Sequence, residues 1–525
     1  MHKIDCDILI IGSGAAGAVL AATLSELTDL KIIMAEKGGY YTKSFFNQKE
    51  WDMRVLFSDE GARSTENGSI PVRGGECVGG GTTVNIALCF DPVQSVWKNW
   101  KSEYGLRRFS FSEQMDDYGV KGLNIPSCLH DIRQRLNVHR PSEDEINDNN
   151  RLFEKGCQKS GISTRRFELN MRDCLGCGYC GQGCAYDRKQ GTMITYVEDA
   201  LKRGVQLIHH FDINQIKYKR KGSKYKAIGV KGRVRPTQQG SSENIYSPGS
   251  VGINANMILV CAGAIESPLL LIRSGHPDPH RILGKGLVLH PSLPIIGVMN
   301  EKIVNYRGIS GSVYSDHFYE SHGFYFECLF GHPVYGSGLL PGIGVDHFEL
   351  MLKYQRLAGF GVMLIDSVNL ENRVNWEAAS QKKRISYQLT SSDKKRLRFA
   401  AAKGVEIMFA AGANEVFLPS EEPVGPLSYP RFKNPKDAAY CEELQFLPHQ
   451  TSITSAHCQA TVKMGEDPRI SMINSRGESH FVENLLVCDS SAFPSSCGAN
   501  PMISIMTLAR YQGKRIANEL SRYNL

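Results

Sequence analysis

No stretch of this 525-residue chain approaches the roughly eighteen consecutive apolar residues needed to cross a bilayer. The opening residues, 1–7, carry acid and no apolar leader-like run, so residues 8–11 read as a strand and not as part of a signal peptide. Both absences predict an intracellular, cytoplasmic protein. Charge of one sign is also scarce: 61 basic against 54 acidic residues leave a net +7, too thin over so large a surface to predict a nucleic-acid partner. The densest basic stretch, 217–235, alternates with Tyr218, Tyr225, Ile228 and Val230 and reads as the solvated face of a β-hairpin. No internal repeat is present, and the only low-complexity patch is the polar run 237–244. What the chain does have is length for two or three cores. It also has fifteen cysteines, an odd number that without an export signal predicts reduced thiols and one special cluster.

The cluster of glycines near the N-terminus is the first positive signal. A short apolar run over 5–11 ends in Gly12, Ser13, Gly14, Ala15, Ala16 and Gly17, and 18–27 then reads as a helix. Gly12 permits a sharp turn, Gly14 lets backbone approach a pyrophosphate, and Gly17 lets helix and strand pack closely. The helix start offers free N–H groups to the phosphates. A second strand over 30–35 delivers Glu36, where a ribose 2′-hydroxyl would be gripped. This order predicts a dinucleotide site, for FAD or NAD. Two further segments favour FAD. In RGGECVGGGTTVN (73–85), Gly79, Gly80 and Gly81 let backbone lie against a flat ring, while Thr82, Thr83 and Asn85 offer polar contacts. After the strand 257–261 come the small residues Ala262, Gly263 and Ala264, with Ser267 and Pro268 read as the start of the next helix. Each segment alone is equally readable as a plain turn.

Near the C-terminus, Ser455-Ala456-His457 leads into ATVKMG, and Asn500 and Pro501 open a final helix over 502–519. A neutral imidazole is the side chain best matched to removing a proton near neutral pH. An amide can hold an oxygen without competing for its proton. As a plain reading, His457 is a core histidine, and Asn500 with Pro501 is a helix N-cap followed by Pro at N1. A helix starting there would point its positive end at charge developing on a flavin.

With GSGAAG, GGGTTVN, AGAIESPLLLIRSG and HCQATVKMG followed by NP in order, the chain resembles the glucose-methanol-choline oxidoreductase family. Within it, the branch most similar is that of long-chain alcohol oxidases, on SAH at 455–457, LHP at 289–291 and the cysteine-rich segment 174–184. The resemblance implies that FAD accepts a hydride at N5 from the carbon of an alcohol, while His457 takes the hydroxyl proton and Asn500 bonds the oxygen. It implies FAD contacts at Gly12, Gly14, Ala15, Ala16, Gly17, Glu36, Gly80, Gly81, Thr82, Asn85, Ala262, Gly263, Asp489 and Pro501, with Asp489 near the ribityl chain. FAD should be non-covalent, because Val84 stands where some members carry a linking histidine. The alternatives are a lyase or other redox-silent flavoprotein, as in plant hydroxynitrile lyases, or a non-catalytic scaffold.

Cys174, Cys177, Cys180 and Cys184 follow the C-x₂-C-x₂-C-x₃-C spacing of iron–sulfur ligands, although Ala185 replaces the usual proline and no second set exists. The run is open to a cluster, to zinc or a disulfide pair, or to packed thiols in a tight glycine loop. A cluster would pass electrons onward; without one, oxygen or a soluble carrier is the acceptor. The expected architecture is α/β: a discontinuous Rossmann-like FAD domain (1–91, 196–284 and 456–525) plus a substrate domain (92–195 and 285–455). The latter is expected to be an antiparallel sheet backed by helices. Its strands are expected at 294–299, 360–367 and 385–389, with a helix over 392–411. Phe324, Tyr325, Phe326 and Phe330 read as a pocket wall or ordinary core. Residues 345–357, with Phe348, Met351, Leu352 and Leu357, read as a helix packed on its own domain, or as a lid that in some relatives meets membranes.

Overall fold

The computed structural model describes every residue except Met1, Ser223 and Phe330; the expectation for Phe330 therefore lies outside the described residues. The chain forms a mixed α/β fold around two large sheets. At the centre of the first, the strand His2–Ile11 pairs in parallel with Gly249–Val260 on one side and Ile32–Ala35 on the other. Gln206–Ile208 and Leu485–Val487 extend the parallel set. The apolar run that ends the first strand is buried on both faces: Ile8 and Ile10 enter one core, Leu9 and Ile11 the other. This is how a period of two distributes side chains in a covered parallel sheet. The basic stretch forms the long antiparallel hairpin Phe211–Lys221 and Lys224–Val234, added to the sheet edge.

Helix Ala15–Leu27 starts three residues earlier than the sequence predicts and lies against the C-terminal helix Met502–Asn518. The two cross closely: a Cβ on Gly513 would fall 2.8 Å from Thr23 Cγ2. Thus the ends of the chain are packed together before any ligand is considered.

The second sheet is antiparallel throughout and contains Ser292–Val298, Leu357–Leu364, Phe324–Glu327 and Val313–Ser315, with short edge strands. Helices Asp148–Lys159 and Ser391–Ala411 lie behind it. Glycines set the spacing: a Cβ on Gly404 would lie 1.9 Å from Ile295 Cδ1, and one on Gly156 2.4 Å from the Ile407 carbonyl oxygen. The strand expected at 385–389 is instead one arm of a separate ribbon, Arg373–Glu377 with Lys382–Ser386.

Two helix starts differ from expectation for identifiable reasons. Pro268 lies inside the helix Gly263–Arg273, not at its start. Proline cannot donate to the carbonyl four residues back, and the Thr461 hydroxyl fills that role, donating to the Ala264 oxygen at 2.6 Å. Replacing Thr461 by valine is expected to leave that carbonyl unpaired and cost about 1–3 kcal/mol, measurable as a lowered denaturant midpoint with unchanged slope. At the final helix, Pro501 rather than Asn500 occupies the cap position, and no side-chain cap forms. The helix expected over 345–357 ends at Leu352, and Leu357 begins a strand; Leu350 is buried but Val345, Phe348 and Leu352 stand exposed, as does nearby Ile343. No helix among the described residues is long and apolar enough to cross a membrane.

Candidate active site

The glycine turn after the first strand is assembled as its sequence demands. Gly12 adopts φ +104°, and a Cβ there would meet the Cys261 carbonyl oxygen at 2.3 Å. Gly17 is held against the turn, where a Cβ would lie 1.9 Å from the Gly12 oxygen. Gly14 precedes the helix without any side-chain cap, so the helix start, at Ala15 and Ala16, has no capping hydrogen bond from a side chain. Gly80 approaches from the second glycine segment, its missing Cβ only 2.8 Å from Gly14 Cα. By contrast, a Cβ on Gly81 or Gly263 would meet nothing within 4 Å. A cradle with open space beside two glycine turns and a helix N-terminus suits a pyrophosphate and a flat ring.

The polar residues around this cradle are engaged with protein as well. Buried Glu36 accepts from Ser13 N–H at 3.0 Å, Ser13 Oγ at 2.7 Å and Gly38 N–H at 2.9 Å. Burial raises its pKa and these donors oppose that shift. A carboxylate has about four acceptor sites, so one remains for a ribose hydroxyl. Asp489 accepts from Gly263 N–H at 2.8 Å, Ser267 Oγ at 2.5 Å and Ser491 N–H at 2.8 Å. It clasps the Ala262–Gly263 turn to the C-terminal segment. Thr82 donates to the Gly79 oxygen at 2.7 Å. Asn85 accepts from Ala87 N–H at 3.2 Å and sets its amide nitrogen 3.0 Å from Met502 Sδ. Both brace the second glycine segment.

His457 stands in a separate, well-tied corner. Its N–H lies 3.5 Å from Ser455 Oγ, and the Ser455 hydroxyl donates to the Leu289 oxygen. The His457 ring meets His290 edge to face, with centroids 5.6 Å apart. His290 has φ +49°, an unusual backbone state for a non-glycine residue. Asp366 holds it there, accepting from the N–H groups of Leu289 and His290 at 3.0 Å each and from the Tyr387 hydroxyl at 2.6 Å. Gln459 connects the corner to the C-terminal loop: its Nε2 lies 3.1 Å from the His457 oxygen, and its Oε1 accepts from Cys497 N–H at 2.9 Å. His290 Nε2 lies 2.6 Å from Ser496 Oγ, which also accepts from Gly498 N–H at 3.0 Å. Asn500 is two residues further along this loop.

Burial alone pushes the His457 imidazole down to about 4, and burial with the neighbouring His457 pushes His290 well below its usual range. His457 is thus neutral and able to accept a proton at any pH above about 4. Asn500 is buried, and its Oδ1 has no hydrogen-bond partner. A neutral proton acceptor and a buried amide, which carries a donor as well as an acceptor, sharing one loop network can receive a hydroxyl-bearing ligand.

Family matching agrees with this geometry. Residues 6–292 match the N-terminal part of the GMC oxidoreductase family model and residues 368–509 its C-terminal part. The chain belongs to the GMC oxidoreductase family. The long-chain-alcohol oxidase FAO4A of Arabidopsis thaliana is 28% identical over 99% of this chain and 69% of its own length. An uncharacterized GMC-type oxidoreductase of Mycobacterium tuberculosis is 28% identical over 96% of this chain and 74% of its own. Among solved structures, pyridoxine 4-oxidase from Mesorbium loti superposes with a TM-score of 0.68 at 18% identity, covering 98% of this chain and 99% of that one. At that identity the likeness shows the fold.

The cysteine run of this GMC oxidoreductase lines one small pocket. Cys180 is buried, while Cys174, Cys177 and Cys184 are half-buried; all four are free thiols. Among the described residues no group of three or more His, Cys, Asp or Glu side chains is arranged to hold a metal ion, and no metal centre is assigned to them. The intervening glycines serve packing: a Cβ on Gly178 would lie 2.2 Å from the Tyr306 oxygen, and one on Gly183 2.5 Å from Phe46 Cδ1. Burial pushes the Cys180 thiol up to about 12, which keeps it protonated.

Lys189 and Glu327 escape sequence reading. Lys189 is buried, donates to the carbonyl oxygens of Thr83 and Asn85 at 2.7 Å and Cys180 at 2.6 Å, and is pushed down to about 8 by burial. It bolts the cysteine loop to the second glycine segment. The strand Phe324–Glu327 divides its side chains: Phe324 and Phe326 enter the sheet core. Tyr325 instead donates to the Gly498 oxygen at 3.2 Å. Glu327, on Tyr325's face, lies beside Asn500. Only the alternation along the strand signals this; no local motif does.

Proposed function

We propose that the chain oxidises the CH–OH group of a long-chain aliphatic alcohol, with His457 as the base and Asn500 holding the substrate oxygen. The observation that carries this reading is the neutral, half-buried His457, whose carbonyl Gln459 ties to the loop that ends in the half-satisfied amide of Asn500. The relatives' activity as long-chain-alcohol oxidases supports the substrate class, and their being oxidases supports oxygen as the acceptor.

FAD, when bound, supplies the hydride acceptor. Gly12, Gly14, Gly17, Gly80, Gly81 and Gly263 would hold it by backbone approach, and Glu36 would accept a ribose hydroxyl. On this reading segments 1–91, 196–284 and 456–525 build the cofactor domain, while 92–195 and 285–455 build the substrate domain. His457 takes the hydroxyl proton onto its ring; a group held neutral by burial gains little from protonating until the substrate offers a proton directly. Tyr325, packed against Phe90, Tyr314 and Tyr319, gives the corner an aromatic wall on the sheet side.

The test is anaerobic mixing of FAD-loaded protein with primary, secondary and aromatic alcohols, with identification of the product. Bleaching of the flavin band together with aldehyde formation, strongest for long primary alcohols, is expected. A bound flavin left unbleached by every alcohol would favour the lyase or redox-silent reading.

A further inference from the structure

Glu327 ends the strand Phe324–Glu327, 5% exposed, with Oε1 lacking any hydrogen-bond partner. Beside it stands Asn500, 8% exposed, with Oδ1 equally orphaned. Asn500 bonds the Glu327 carboxyl, yet each side chain keeps one buried acceptor without a partner, which is costly unless a proton or a ligand satisfies it. The two ends of a carboxamide have the same shape and opposite hydrogen-bonding character. A half-turn of the Asn500 amide therefore exchanges donor for acceptor without displacing its neighbours.

We propose that Glu327 is a positioning residue whose proton decides which end of the Asn500 amide faces the substrate oxygen. As the neutral acid, Glu327 donates its O–H to Asn500 Oδ1, and Nδ2 turns outward with N–H groups for the substrate oxygen. As the carboxylate, Glu327 takes Nδ2 for itself, and Oδ1 faces outward, acceptor against acceptor. The neutral acid is the working form. This inference rests on the reading that His457 and Asn500 flank the reacting alcohol.

Burial raises the Glu327 carboxyl to about 7, and Asn500 opposes the shift. The titratable groups on the elements packed against it do not change charge in that window. Tyr314, directly opposite on the neighbouring strand, and Tyr325 on its own strand are both raised by burial. On the other side the partner is Gly361, which has no side chain. In the corner joined to Asn500 by the C-terminal loop, His457 stays neutral above about 4, and burial with the neighbouring His457 pushes His290 well below its usual range.

The test is the pH profile of anaerobic flavin reduction by dodecanol, or by whichever alcohol of the panel reduces the flavin. The native enzyme is expected to lose rate by about tenfold per pH unit above about 7. In Glu327→Gln, whose amide N–H donates to Oδ1 at every pH, this alkaline limb should vanish. Glu327→Leu, lacking any donor, should be slowed about tenfold or more at all pH in kcat, with KM changed less. A substrate-free arm uses infrared spectroscopy: a protonated-carboxyl band should fade as pH rises through about 7 and be missing in Glu327→Gln. An unchanged alkaline limb in Glu327→Gln, or no such band difference, overturns the role of Glu327 alone. Undiminished reduction in His457→Ala would instead overturn the reading beneath it.

Discussion

His457→Ala is expected to slow anaerobic flavin reduction by alcohol by at least roughly a hundredfold, while FAD stays bound. General bases contribute about 10²–10⁴ in rate, and His457 carries both the required neutrality and a position on the loop network leading to Asn500. Its neighbour His290 is the poorer base, because its Nε2 is committed to Ser496 and Gln459 and only its Nδ1 is left without a partner. Retention of FAD follows from geometry, since the cradle is built by glycine turns of other segments. Stopped-flow absorbance with a parallel measurement of flavin content checks both halves of the expectation. Native-like reduction rates in the variant would remove His457 from the chemistry.

Gly17→Ala is expected to abolish FAD retention, although it adds one methyl group. The added Cβ would lie 1.9 Å from the Gly12 oxygen, 2.9 Å from the Gly12 carbon and 3.2 Å from Ile10 Cγ2. The first two atoms are backbone, so no rotamer change relieves the clash, and helix Ala15–Leu27 must move off the strand. Overpacking of this kind costs about 1–3 kcal/mol or more. The displacement occurs where the helix N-terminus would meet a pyrophosphate, so cofactor loss should exceed what the stability loss alone implies. Purified protein should be colourless, with a lowered thermal midpoint; full flavin occupancy would show that the close helix–strand approach is dispensable.

What could be read in advance divides along physical lines. The N-terminal turn was legible because each glycine answers a local demand: a positive φ at Gly12, a close backbone approach at Gly14 and Gly80, a tight packing contact at Gly17. The parallel strand and the antiparallel sheet were legible from apolar runs and their order. Pro268 misled because a proline ordinarily marks a first turn, and the Thr461 hydroxyl that lets it sit deeper comes from far along the chain. Asn500 misled in the same way, since its side chain is turned toward Glu327 instead of capping the helix. Glu327 was invisible as a functional residue: a lone carboxylate at the end of an aromatic strand acquires its character only from burial and a partner in another segment. The cysteine run had a specific spacing, yet the contacts of Gly178 and Gly183 with neighbouring loops, which spacing does not encode, set its geometry.

The most direct measurement of the central claim is rapid anaerobic mixing of the FAD-loaded protein with dodecanol carrying hydrogen or deuterium at the carbinol carbon. If the chain removes hydride from an alcohol carbon, the flavin band should bleach in a single turnover, with stoichiometric aldehyde and a clear slowing on deuteration. A flavin that stays oxidised with dodecanol and with the wider alcohol panel would contradict the account.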